Sequence, residues 1–244
     1  MLKETYNQIK EIQDTHWFYN NRRFLLSMYL RTIGKNNRLK VLDLGCATGS
    51  MLGRIENFGS VIGTDMSYYA LSWINNKEID LVQSDASSLP FKDDSFDVVV
   101  LFDLLYHKDI ASESAVLSQV RRVLKKNGSV IITDSAFMSL CGAHDKAAQG
   151  IRRFSRKRIK DLLNENGFKV EHFTYNYMIL FPIVWLKRKI LPRFIGSKMN
   201  IKLEFRKTNI FVNGILTGFF NLEFMLSRFL QLPIGVTFSC WGRR

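Results

Sequence analysis

Asp43, Gly45, Gly49 and Asp65 stand at spacings that suit a nucleoside ligand. Asp43 lies inside the apolar run Val41-Leu42-Asp43-Leu44, which leads straight into Gly45-Cys46-Ala47-Thr48-Gly49-Ser50. Glycines there let the backbone turn tightly and come close to a ligand, and a helix from Ser50 to Asn57 offers N–H groups with no partner inside the helix. Asp65 ends the next apolar run and lies 20 residues after Gly45, the interval at which an acid binds a ribose diol in doubly wound nucleotide-binding sheets.

A dinucleotide loop needs glycines at its first, third and sixth positions, and here those positions hold Gly45, Ala47 and Ser50. The missing third glycine argues against a pyrophosphate. Asp43 inside the strand, the Gly-x-x-x-Gly turn and a later Ser84-Asp85-Ala86 argue for an adenosine ligand without phosphates. Five pieces follow in order: VLDLGCATG from Val41, GTDMS from Gly63, SDASSLPF from Ser84, SFDVVVLFDLLYH from Ser95 and VRRVLKKNGSVIIT from Val120. Over roughly Leu39 to Phe173 the chain therefore resembles class I S-adenosylmethionine (SAM) dependent methyltransferases. The resemblance implies SAM as cofactor and no metal. It places Asp43 and the Gly45, Cys46, Ala47 and Gly49 backbone at the methionine part, Asp65 on the ribose hydroxyls and Met66 on adenine. Asp85 would receive the adenine amino group with Ala86 beside it, and Phe102 would line the methyl-transfer side.

An oxygen or nitrogen acceptor needs to lose a proton, which points to the histidines near strand ends. His107, after Tyr106, follows the fourth strand, and His144-Asp145 follows the fifth; open sheets bind ligands at such carboxyl ends. Histidine titrates near neutral pH and an adjacent acid can orient it, so His107, His144, Asp145 and Tyr106 are the catalytic candidates. Arg152 and Arg153 have the fork geometry that grips a carboxylate or phosphate. Trp17, Tyr19 and Arg22 belong to an aromatic and basic segment, His16 to Arg23, placed to close over the cofactor and meet the acceptor. The His-Asp and Arg-Arg-aromatic arrangement resembles a subgroup linked to glycan and natural-product biosynthesis, although Gly150 stands where that subgroup carries a further histidine.

The elements that must hold these residues alternate. Tyr6 to Arg31 reads as helical. Strands are expected at Leu39–Leu44, Ser60–Thr64, Ile79–Gln83, Phe96–Phe102, Ser129–Asp134, Phe168–Tyr175 and Ile234–Trp241. Helices are expected at Ser67–Asn75, Ser112–Lys126 and Arg156–Asn166 besides the one at Ser50–Asn57. Strand–helix alternation calls for a parallel sheet with right-handed crossovers, and the resemblance implies an antiparallel last strand. The expected fold is α/β, a doubly wound, seven-stranded, mostly parallel sheet with N-terminal helices and a helical insertion before the last strand. Residues 1–36 would be an N-terminal helical cap, 37–175 the SAM-binding core, 176–233 a basic and aromatic insertion and 234–244 the final strand.

The chain has 244 residues, 46% of them hydrophobic, enough for one domain with an elaboration. Its three widely spaced cysteines suggest a reducing compartment, without a disulfide framework or metal cluster. The polar, mixed-charge stretch Met1 to Thr15 lacks the layout of a secretory signal, so the expected location is cytoplasmic or peripheral at the inner membrane face. Residues 1–150 carry 17 Lys+Arg against 17 Asp+Glu, and residues 151–244 carry 18 against 5, so the net charge of +13 falls in the last 94 residues. That imbalance implies an anionic acceptor, a partner or a membrane surface met through 176–233. The longest uncharged runs there, Phe173–Leu186 and Thr208–Leu222, have 14 and 15 residues, short of the roughly 20 needed to cross a bilayer. Nucleic acid is disfavoured, since neither an RNA-binding module nor an Asn-Pro-Pro-Tyr-type tetrapeptide is present. The sequence thus points to methyl transfer to an oxygen of a small molecule, sugar or natural-product intermediate. A peptide carboxylate and a non-catalytic docking role are the alternatives.

Overall fold

The computed structural model describes residues 3–35, 37–190 and 208–244, with the side chains of Ala143 and His144 excepted. Seven strands form one sheet in the order β3-β2-β1-β4-β5-β7-β6. They are β1 (Leu39–Leu44), β2 (Gly59–Asp65), β3 (Asp80–Gln83), β4 (Phe96–Phe102), β5 (Leu124–Ser135), β6 (Lys169–Asn176) and β7 (Thr237–Arg243). Strands β1 to β5 run parallel, and β7 is antiparallel to both β5 and β6. In β4, Val98 to Leu101 are all fully buried, as expected of a central strand covered on both faces. The order reverses direction beside β1 and β4, which opens a crevice at their carboxyl ends.

The helices are α1 (Lys3–Ile12), α2 (Trp17–Gly34), α3 (Leu52–Ile55), α4 (Tyr68–Leu71), α5 (Glu113–Val123), α6 (Ala143–Ala147), α7 (Arg156–Glu165), α8 (Leu180–Trp185) and α9 (Ile210–Ser227). Capping is local and legible: Ser112 accepts from the Ala115 N–H at the start of α5, and Ser155 from the Arg158 N–H at the start of α7. Helix α5 buries Val116, Leu117, Val120 and Val123, one face at helical spacing.

Several boundaries differ from the sequence expectation. The single helix over Tyr6 to Arg31 is two, because Gln13 leaves the helix to exchange hydrogen bonds with Thr48: Thr48 Oγ1 donates to Gln13 Oε1 at 2.5 Å, and Gln13 Nε2 to Thr48 O at 3.3 Å. The helix expected at Ser50–Asn57 is the single turn α3 continued by a 3-10 turn over Glu56–Phe58, and the one expected at Ser67–Asn75 is the single turn α4. Helix α5 ends at Val123, not Lys126, since Leu124 pairs with Phe96 and begins β5, and Asn127 takes φ 63° in that strand's irregular part. The last strand begins at Thr237 rather than Ile234.

Candidate active site

The glycine loop is pinned to the end of β2. The N–H groups of Gly45 and Cys46 both donate to Thr64 O, at 2.8 and 3.0 Å, and Gly49 N–H closes the turn on Cys46 O at 2.9 Å. Gly45 and Gly49 have φ of +79° and +82°, in the left-handed region. A Cβ at Gly49 would stand 2.9 Å from Ile74 Cγ1. Gly49 therefore shapes the turn and stays out of the cavity wall, a correction to its expected ligand contact. Asp65 braces the loop from the other side: Oδ2 accepts from the Ala47 N–H and Oδ1 from the Ser67 N–H, each at 2.9 Å. A carboxylate has further lone pairs for ribose hydroxyls. The short α3 cannot supply the expected helix-terminal N–H cradle, so the loop itself has to meet the ligand.

Above the loop opens a cavity of about 840 Å³. Its wall includes Asp43, Gly45, Cys46, Ala47, Asp65 and Met66 on one side, and Asp85, Ala86 and Phe102 on another. Asp43 is 2% exposed and its Oδ2 has no partner among the described residues. Burial, helped by the charge of Asp65, pushes its carboxyl up to about 7. A buried acid with an unpaired oxygen facing a cavity fits a ligand that brings a cation or N–H donor, as the ammonium and sulfonium of SAM do. With Asp65 reachable for a diol and no third loop glycine for a pyrophosphate, the residues present fit SAM.

The N-terminal helices cover the cavity. Tyr6, Ile9, Trp17, Tyr19 and Arg22 all reach its wall. Trp17 stacks on Phe220 at 5.3 Å between ring centroids. Arg22, buried, pairs with Asp103 just after β4, Nη1 to Oδ2 at 2.5 Å, and lies 4.5 Å above the Phe18 ring. Asp103 takes φ 53° and was not anticipated; its place directly after the buried β4 run was the available signal.

His107 is brought to the wall by an isolated bridge with Gly150. Its Nδ1 faces Asp109 Oδ2 at 3.3 Å and the Asp109 N–H at 3.3 Å, while Nε2 is buried with no partner among the described residues. The Asp109 N–H donates to Nδ1, an arrangement that leaves the neutral ring's proton on Nε2, whereas pairing of Nδ1–H with the Asp109 carboxylate would leave the lone pair on Nε2. Burial lowers the pKa of this histidine.

Three other expectations change. Tyr106 is buried, its hydroxyl donates to Ala148 O at 3.4 Å, and burial raises its phenol well above the ordinary value, so it is no base at neutral pH. The side chain of His144 lies outside the described residues, and the Asp145 carboxylate is engaged by arginines. It pairs with Arg153 Nε at 2.7 Å and with Arg188 Nη1 at 3.2 Å. The Arg152–Arg153 pair does not grip a ligand together: Arg152 donates to Leu105 O and Ile110 O and stands outside the cavity wall, and Arg153 is committed to Asp145 and Ala136 O. Arg188, inside the Lys187-Arg188-Lys189 run, reads as surface charge in sequence yet lines the cavity.

Comparison with known proteins agrees with this geometry. Residues 42–132 match the methyltransferase domain family. A demethylmenaquinone methyltransferase of Lactobacillus johnsonii is 29% identical over 166 residues, covering 52% of this chain and 67% of that one. An O-methyltransferase, rstn1, of Aspergillus nomiae is 28% identical over 157 residues, 55% of this chain and 66% of that one. Among solved structures, a Haloferax volcanii putative methyltransferase in complex with the Trm112 methyltransferase activator superposes with a TM-score of 0.61 at 18% identity, covering 98% of this chain and 94% of that one. The 3-2-1-4-5-7-6 sheet and the SAM-fitting loop agree with the domain matched over residues 42–132, so the chain carries a SAM-dependent methyltransferase domain of class I fold.

Proposed function

We propose that the enzyme methylates an oxygen of a small, largely apolar acceptor, a natural-product or sugar-bearing biosynthetic intermediate, with His107 as the base. The observation that carries this reading is the place of His107 in the cavity wall with the Asp109 carboxylate beside its Nδ1. When bound, SAM supplies an electrophilic methyl group on sulfur. Asp43, the 45–48 backbone, Asp65 and Met66 would hold it, Asp85 and Ala86 would border adenine, and Phe102 would border the transfer side. His107 Nε2 takes the proton that the acceptor hydroxyl loses, and Asp109 steadies the imidazolium that results. Trp17, Phe18 and Leu180 exclude water and align the acceptor, which is most of what a methyl transfer with dispersed charge demands.

An anionic acceptor is less well supported than the basic chain suggested. Each arginine of the described cavity wall has a protein carboxylate: Arg22 has Asp103, and Arg153 and Arg188 share Asp145. Ile9, Leu104, Ile110 and Val184 make much of the remaining wall apolar. The test is turnover with SAM labelled with carbon-13 at the methyl, against phenols, quinols, sugar glycosides and hydroxy acids. A product carbon resonance in the O-methyl range is expected; an N- or C-methyl resonance sinks the proposal.

A further inference from the structure

We infer that the face formed by α8 and α9 is a docking surface for an anionic lipid bilayer, with α9 lying in the interfacial plane. Helix α9 has 18 residues with a mean hydropathy of 1.4, long and apolar enough by length and composition to cross a membrane, yet only 22% of it is buried. Its two faces differ sharply. Phe220, Glu223, Phe224 and Ser227 are buried against the fold, while Phe211 is 79%, Ile215 71% and, just past the helix, Phe229 84% exposed.

Polar contacts hold the inner face down. Asn213 Oδ1 accepts from the Trp17 N–H at 2.6 Å, Asn21 Nδ2 donates to Thr217 O at 2.9 Å, and Glu223 accepts from the N–H groups of Tyr177 and Met178. Spanning a bilayer would break these bonds and carry Glu223 into hydrocarbon, which costs several kcal/mol. Lying flat keeps them and buries the outer face, the behaviour of an interfacial amphipathic helix.

Charge chooses among occupants. The only charge within α9 is the buried Glu223, whereas Lys187 and Lys189 after α8 and Arg228 after α9 are exposed. A second copy of this chain would bring the same bases to the same patch and repel them; anionic headgroups attract them. Leu180 of α8 and Leu216 of α9 pack against the same buried cluster, which sets α8 between this surface and the site. Ile179 just before it, Ile183 within it and Leu186 at its end are exposed, at 49%, 57% and 48%, while Leu180 and Val184 line the cavity. An apolar acceptor dissolved in the bilayer would therefore meet the cavity wall where the protein touches lipid; that clause alone rests on the proposed acceptor.

Vesicle sedimentation tests the inference without SAM or turnover, so its failure is separable from failure of the methyltransferase reading. The vesicles are phosphatidylcholine alone, or with one third phosphatidylglycerol. The whole chain should bind the anionic vesicles about tenfold or more tightly than the neutral ones. The exposed-site variant Phe211→Glu/Ile215→Glu/Phe229→Glu should lose binding to both. Lys187→Glu/Lys189→Glu, which spares Arg188, should fall to the neutral-vesicle level. Circular dichroism and a cooperative thermal unfolding transition verify that both variants are folded. No binding by the wild-type chain, binding that survives the apolar substitutions, or a dimer in sedimentation velocity that those substitutions split without any vesicle binding would each overturn the inference.

Discussion

Asp145 Oδ2 stands 3.2 Å from Arg188 Nη1, so an acid in α6 ties down the turn that follows α8. The same acid holds Arg153 at 2.7 Å, and the Asp145 side chain is only 3% exposed. One buried carboxylate thus pairs with two guanidinium groups and leaves a net positive charge in the cavity wall. Asp145→Asn strands both and should cost about 3 kcal/mol in urea unfolding; Arg188→Gln leaves the Asp145–Arg153 pair and should cost about 1 kcal/mol. Equal losses would contradict the shared arrangement.

Asp43 makes cofactor binding pH-dependent. Its carboxyl is raised from 3.8 to about 7 in the ligand-free protein, and the cationic ligand wants it ionised. SAM affinity should therefore fall about tenfold from pH 8 to pH 6, with proton release on binding at pH 6. For stability the sign is opposite. The folded protein holds this proton more tightly than the unfolded chain, so the stabilisation it provides is present below about pH 4 and lost as pH rises through 7. Ligand-free Asp43→Asn should consequently exceed wild type by on the order of 2 kcal/mol at pH 8 and match it near pH 4.

His107, with its pKa lowered by burial, should be neutral at pH 7 and lose activity only as pH drops through a value below 6.5. His107→Gln should reduce kcat by about 100-fold to 1,000-fold and abolish that acidic limb, with SAM affinity unchanged. A retained limb would assign the titration to another group.

Gly150 leaves no room for a side chain. A Cβ there would lie 2.3 Å from Tyr106 Cδ2, so Gly150→Ala should lower stability by about 1–3 kcal/mol and displace His107 through their shared bridge. Disappearance of the Gly150→Ala cost when it is measured in a Tyr106→Ala background would confirm the clash; no loss in the single variant would refute it.

The strands and the loop were readable because their signals are local. Buried strands such as β4 read as continuous apolar runs, and the 20-residue step from Gly45 to Asp65 spans one strand–helix–strand unit. What stayed hidden depends on partners distant in sequence. The break after α1 is made by Thr48, 35 residues from Gln13. The start of β5 at Leu124 is decided by Phe96. The arginines misled for the same reason: charge is visible in a sequence, but whether a guanidinium is already satisfied by Asp145 or by a backbone carbonyl is not.

Calorimetric titration with SAM and S-adenosylhomocysteine, beside Asp65→Ala, tests the central claim most directly. The wild-type protein should bind both ligands, and the folded variant should bind each at least about 100-fold more weakly, the loss expected when a carboxylate no longer receives two hydroxyls. A folded wild-type protein that binds neither ligand, or a variant that binds both equally well, would contradict the account.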